Sequence, residues 1–288
     1  EIVGARTTNV ADALSGKVAG VQVSTTSSDP GAVSNVVIRG YGSINGSNQP
    51  LYVVDGVPLQ NNMVSDYDQG NNISAGGISN IAPEDIESMT ILKGAAATAL
   101  YGSRAANGVI LITTKTGKRG VARNYTINYS GSVQARMVSM LPDLQNKYGQ
   151  GWGGRQTFIE NGSWGPEMDG SLQVYGPAWN NQQLIHEYSA VKDNIKDFFE
   201  TGWSQNHNVS LSGVSNDNKM TYYLSYSYTD DNGIMPYDKD VYSRNTLAMR
   251  NSYQANEWLK LSSSFNFARS ATDAVGQFQG TSVIDGLY

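Results

Sequence analysis

From Met220 to Tyr228 every second residue is apolar. Met220, Tyr222, Leu224, Tyr226 and Tyr228 run along one side, with Thr221, Ser225, Ser227 and Thr229 along the other. A side-chain period of two belongs to an extended strand, because a helix of ~3.6 residues per turn would scatter these residues around its axis. The split recurs for Tyr125, Ile127, Tyr129 and Val133 against Thr126, Asn128, Ser130, Ser132 and Gln134. It recurs again for Leu259, Leu261, Phe265 and Phe267 against Lys260, Ser262, Ser264 and Asn266, and more briefly for Val209 and Leu211 against Asn208, Ser210 and Ser212. In a weaker fifth candidate Leu247, Met249 and Tyr253 oppose Arg244, Thr246 and Arg250. Strands are therefore expected near 124–135, 207–214, 219–230, 242–253 and 258–270. A polar face carrying two arginines suits a watery lumen better than a dry sandwich core.

The connections between these strands alternate in length. About 70 residues separate the first two, with a long extracellular loop expected near 138–206; then come a tight turn at Ser215–Asn218, a longer loop from Asp230 to Val241, and a short turn near Gln254–Asn256. Long loops on one side and short turns on the other are the pattern of an outer-membrane barrel. Five strands cannot close one, and open edges are not viable in hydrocarbon, so the polypeptide is expected to continue beyond Tyr288.

Residues 1–118 read differently, as a small α+β domain. They contain no Trp and combine short β-branched runs with Gly-rich turns: Val21–Val23, Val36–Gly40, Leu51–Gly56, Met89–Lys93 and Gly108–Thr114. Asn9 can cap a helix that Gly16 and Gly20 would stop, so a short helix is expected within 9–20.

Composition excludes several classes. A net charge of -5 offers no basic field for nucleic acid. The absence of Cys removes disulfides, thiolate zinc sites and cysteine nucleophiles. No apolar run reaches the ~18 residues of a membrane-spanning helix, a test that barrel strands escape. Gly94–Gly108 lacks the Gly-Lys-Ser/Thr ending of a phosphate loop. His186 and His207 are the only histidines, too few and too badly spaced for a metalloprotease or a Ser-His-Asp triad. Asp66-Tyr67-Asp68-Gln69-Gly70 opens like a calcium loop but places its Gly one position early and lacks the closing acid. No enzyme activity, cofactor or metal is expected.

The segment from Leu92-Lys93-Gly94 through Leu100-Tyr101-Gly102-Ser103-Arg104-Ala105-Ala106-Asn107-Gly108 to Thr114-Lys115 resembles the plug signature of TonB-dependent receptors in its SusC/RagA-like form. Ala13–Val21, Ile38-Arg39-Gly40 and Pro50–Pro58 agree in order and spacing, and Thr201–Gly213 with Tyr222–Tyr226 resembles the early barrel. The resemblance implies an α+β plug domain over 1–118, followed at 119–288 by the first antiparallel strands of a 22-stranded transmembrane β-barrel in the outer membrane of a Gram-negative, Bacteroidota-type bacterium. It also implies import of a glycan or peptide too large for porins, a SusD-like surface lipoprotein lid, coupling to the TonB complex, and paired importers. Neither a TonB box nor an N-terminal extension is found ahead of Glu1, so coupling is implied by the family alone.

Within this frame the plug charges Arg39, Lys93 and Arg104 are candidates for sealing and gating, pairing with carboxylates on the wall or on neighbouring plug strands. Asp66, Tyr67 and Asp68, a carboxylate and aromatic cluster, are candidates for substrate contact. Trp152, Trp164, Trp179, Tyr148 and Tyr175 form either a binding rim or the packing of the long loop. The alternative functions are a surface receptor or adhesin without transport, and a secreted carbohydrate-binding β-domain.

Overall fold

The computed structural model describes residues 9–25, 29–44, 47–59, 77–117, 125–157 and 162–275. Strands β1 (Val21–Thr25) and β2 (Ser34–Ile38) pair antiparallel, with Val21 opposite Ile38. Next to them in sequence is a four-stranded sheet of β3 (Leu51–Val54), β4 (Val57–Pro58), β5 (Ile86–Leu92) and β6 (Val109–Thr114), in the order β4-β3-β6-β5. β3 and β6 run parallel, and the other pairs are antiparallel.

Both faces of this sheet are covered, which is why its central strands are apolar runs instead of alternating ones. Tyr52, Val54, Ile110 and Ile112 pack on one face with Val10, Leu14, Val36, Ile38, Ile78 and Ile81. Val53 and Val109 pack on the other with Ala97 and Ala105, from helix α1 (Ala95–Tyr101) and the turn after it. Each fully buried Val or Ile contributes about 1.5–3 kcal/mol.

The helix expected within 9–20 is a single 3-10 turn at Asp12–Leu14. The N-cap of this turn is Ala11, and Asn9 stands two residues ahead of it, its side-chain oxygen accepting the Ala11 N–H at 3.1 Å. Gly16 (φ +69°) and Gly20 (φ +72°) are in left-handed conformations, and the stretch from Asn9 to Gly16 is too short to repay helix nucleation.

Beyond the plug lie β7 (Tyr125–Arg136), β10 (Gly202–Val214), β11 (Met220–Asn232), β12 (Val241–Asn256) and β13 (Leu259–Asp273). They form one antiparallel sheet in the order β13-β12-β11-β10-β7. The short turns 215–219 and 257–258 leave one end of this wall, while 233–240 and the long segment after Arg136 leave the other. Gly117, on the chain between plug and wall, lies at the short-turn end. A Cβ there would sit 2.5 Å from the Gly213 carbonyl oxygen.

β10 begins at Gly202, earlier than the loop expected to reach 206, with Trp203 opposite Ala135 and Asn232. Its first residues carry Trp203, Gln205 and His207 on the outer side, only one of them apolar, so the alternation is weak there. Strand pairing, which the sequence does not display, extends it.

The segment Met137–Glu200 is a second compact unit with structure of its own. β8 (Leu172–Trp179) and β9 (Gln182–Glu187) form a hairpin, and α2 (Asn194–Phe198) follows. In its first half glycines are buried under aromatic rings: Gly162 lies against Trp152 and Gly149 against Tyr188, while Tyr148 and Trp164 meet at 6.0 Å between centroids. Packing inside the loop occupies these aromatics, although Trp152 and Trp164 each remain more than half exposed. The side chains of Tyr175 and Trp179 lie outside what is described.

Candidate functional site at the plug and wall interface

The wall is inside out relative to a soluble sheet. Its buried face is polar, with Asn206, Asn208, Ser210, Ser225, Ser227 and Thr229 nearly inaccessible, and its exposed face carries Val209, Leu224, Tyr226, Met249, Phe265 and Phe267. The outer band ends abruptly. The cross-strand row Tyr129, Val209, Tyr226, Leu247 and Phe267 is apolar or aromatic, whereas the next row toward the long connections is His207, Tyr228, Asn245 and Arg269. From Met220 to Tyr226 the strand rises roughly 20 Å along its own axis, a length that falls within the ~25 Å apolar band of a membrane barrel. At its upper edge Tyr226 donates its hydroxyl to Asn245 at 2.7 Å, and Tyr129 bonds His207 Nδ1 at 2.8 Å.

On the inner face the polar groups satisfy one another. Asn208 donates to the Ser225 and Ser227 hydroxyls at 2.8 and 2.7 Å, and Asn206 to Thr229 at 3.1 Å. This ladder leaves a small number of side chains to hold the plug. Arg244 is 1% exposed and donates through Nη1 to the Ser79 carbonyl at 2.6 Å. Tyr223 donates its hydroxyl to Asp85 Oδ1 at 2.8 Å. Arg250 lies over the Tyr223 ring at 5.6 Å and faces Asp55 across 4.0 Å. Gly31, with φ +73°, lets the plug backbone lie directly against the Tyr242 ring.

The polarity of this seat follows from what each side can offer. The wall supplies guanidinium and phenol donors, and the plug supplies acids and a carbonyl. Burial pushes the Glu84 carboxyl above its usual range, against the lowering effects of its own backbone N–H and of Arg244. Burial likewise raises Asp12, outweighing the hydrogen bond it accepts from the Ser34 hydroxyl. The Tyr52 phenol beside it is raised by its own burial and by the Asp12 charge.

The two arginines read from sequence as facing a watery lumen are instead buried against the plug, which occupies that space. Tyr223, Asp85, Asp55 and Ser79 were not singled out from sequence. The available signal was two arginines on an otherwise neutral face, and it does not name the partners.

Arg39 and Lys93 meet around Gly20 and Gly94. Arg39, itself at φ +60°, donates its backbone N–H to Gly20 O at 2.8 Å, and a Cβ on Gly94 would lie 2.9 Å from its Nη1; Lys93 Nζ donates to Ala19 O at 2.5 Å. Arg104 is exposed in the turn Gly102–Ala105. Among the described residues none of these three forms an ion pair with a carboxylate. Asp66, Tyr67 and Asp68 lie outside the described residues. No group of three or more acidic or histidine side chains among the described residues is arranged to hold a metal ion.

Residues 1–109 match the family model for the TonB-dependent receptor plug domain. The chain is 38% identical over 229 residues to the TonB-dependent receptor SusC of Bacteroides thetaiotaomicron, covering 80% of this chain and 20% of SusC. A TonB-dependent receptor of Formosa agariphila is 34% identical over 246 residues, with 85% and 20% covered. The chain thus spans about a fifth of the length of these curated relatives. Among solved structures, the RagAB peptide importer in its closed-closed state superposes with a TM-score of 0.67 at 30% identity, covering 95% of this chain and 30% of that one. The ferric enterobactin receptor of Pseudomonas aeruginosa, at 15% identity and a TM-score of 0.52 over 93% of this chain, shares the fold. The chain belongs to the SusC/RagA-like TonB-dependent receptors of the outer membrane, and what it carries of them is the plug and the first strands of the barrel around it.

Proposed function

We propose that the protein imports a nutrient too large for porins, a glycan or a peptide, through the outer membrane, with the plug gating the barrel and energy delivered through the TonB complex. The observation that carries this reading is the seat itself. A domain with its own apolar core rests on a polar wall through a handful of hydrogen bonds and charges, each worth about 0.5–3 kcal/mol. Such a seat holds at rest and yields to a pull. The apolar core keeps the plug sheet together while it moves.

A SusD-like surface lipoprotein as partner and the pairing of two importer–lipoprotein units belong to the same proposal, as what the family resemblance implies, and the name of the RagAB importer supports peptides as one cargo class. Asp66, Tyr67 and Asp68 are proposed to meet the cargo. Arg39, Lys93 and Arg104 are proposed to seal the plug against the wall, so R39A or R104A should raise the leak of small antibiotics.

The test is uptake of labelled oligosaccharides and oligopeptides by cells carrying the full-length receptor, with and without an energised inner membrane. Energy-dependent uptake supports the proposal. Surface binding without uptake would instead make the protein a receptor or adhesin.

A further inference from the structure

Asp55 sits in the two-residue turn between β3 and β4, at φ +49° with Gly56 at +85°. Its carboxylate is held within the plug: Thr114 donates its backbone N–H to Oδ1 at 2.9 Å and its hydroxyl to Oδ2 at 2.5 Å. Arg250 approaches the same Oδ2 from the wall, but its Nε stops 4.0 Å away, beyond hydrogen-bond reach. The Arg250 side chain is only 5% exposed. It donates through Nη2 to Asn266 at 2.9 Å, while its Nε and Nη1 have no hydrogen-bond partner among the described residues. A buried guanidinium with unused donors is unfavourable, and Asp55 is the one described carboxylate within ion-pair range of it.

We infer that Asp55 is a carboxylate with two berths, clasped by Thr114 in the seated plug and transferred to Arg250 as the plug begins to shift, so that Arg250 restrains the first step of opening. The inference rests on the import reading above. A displacement of about 1 Å brings Asp55 into hydrogen-bond range of Arg250. Thr114 is the last residue of β6, three residues before Gly117 lies against the wall strands at Gly213 and Tyr222, so the clasp stands close to where the plug meets the wall. Arg250 is thereby a positioning residue. It acts on the plug and touches no cargo.

The experiment is the rate at which conducting pores appear when purified full-length receptor in planar bilayers is exposed to a fixed urea concentration. R250Q should speed opening about fivefold or more, the effect of losing roughly 1 kcal/mol of restraint, and R250K should restore most of the delay. T114V keeps the shape and backbone N–H of the clasp but removes its hydroxyl. It should slow opening about twofold by handing Asp55 to Arg250. A T114V receptor that opens as fast as wild type or faster overturns the two-berth assignment, as does an R250Q receptor that opens at the wild-type rate. If R250Q fails to reach the outer membrane, T114V decides alone, because it leaves the wall intact. The readout is conductance and needs no cargo, so failed uptake leaves the test standing. A wild-type receptor that never conducts would refute the import reading together with the berths.

Discussion

Tyr223→Phe removes one oxygen atom from the seat of the plug and nothing else. The ring stays, and with it the stacking of Arg250 at 5.6 Å, because a phenyl face attracts a cation much as a phenol face does. What disappears is the hydrogen bond to Asp85 Oδ1, 2.8 Å long and formed between two side chains that are each about 3% exposed. A hydrogen bond to a charged group is worth about 1.5–3 kcal/mol net, and the carboxylate left behind adds its own desolvation. At about 1.4 kcal/mol per factor of ten, the equilibrium between seated and displaced plug should shift toward displacement by roughly 10- to 150-fold. Pore opening by urea in planar bilayers measures this under the proposed import function, in which the seated plug blocks conduction. The companion variant D85N and the double variant close a thermodynamic cycle in which Y223F should have little further effect once Asp85 is neutralised. If Y223F opens at the wild-type urea concentration, or if the two effects simply add, the plug is not held where these contacts place it.

Gly31→Val should loosen the seat by about 1–3 kcal/mol, because a Cβ there meets the Tyr242 ring and φ is +73°; lowered urea resistance of the pore is the check. Asp12 gives a pH dependence with a definite sign. Burial holds its carboxyl above the usual range, so its contribution to plug stability is fully present below the unfolded value and is lost as pH rises through the folded one. Asp12→Asn, which keeps an acceptor for the Ser34 hydroxyl, should therefore stabilise the plug at pH 7 relative to wild type and lose that advantage toward pH 4. Calorimetry of the full receptor in detergent reads the difference, and parallel pH curves for the two proteins would contradict it. Leu224→Lys, in the middle of the outer apolar band, should destabilise the folded receptor in vesicles by about 2–4 kcal/mol. Ordinary surface substitutions stay within about 0.5 kcal/mol.

What the sequence discloses and what it withholds divide along a physical line. A strand with one face in lipid and one against polar groups must alternate, so Met220–Tyr228 and Leu259–Phe267 announce themselves residue by residue. Gly202–Asn206 does not, because above the apolar band both faces of β10 are largely polar and only pairing with β7 and β11 holds them extended. The turn at Asp12–Leu14 reads as a longer helix because capping and stop signals are local, whereas the burial of Val10 and Leu14 on the sheet is what decides its shape. Arg244 and Arg250 stand out as charges on a neutral face. That they hold a plug together with Tyr223, and that Ser79 receives Arg244, Asp55 faces Arg250 and Asp85 receives Tyr223, depends on contacts between residues up to 195 positions apart in sequence, beyond the reach of any period or motif. The plug arginines chosen from the motif, Arg39 and Arg104, are conspicuous in sequence and exposed in space.

The central claim is that the wall turns its apolar face to lipid and its polar face to the plug. The most direct measurement places a nitroxide at Leu224→Cys in the full-length receptor, reconstituted in vesicles, and compares its relaxation by oxygen and by a water-soluble nickel complex. A label relaxed strongly by oxygen and weakly by nickel, in contrast to one at Asn216→Cys in the exposed turn, is the expected result. Equal access of the nickel complex to both positions would put the apolar face in water and contradict the barrel.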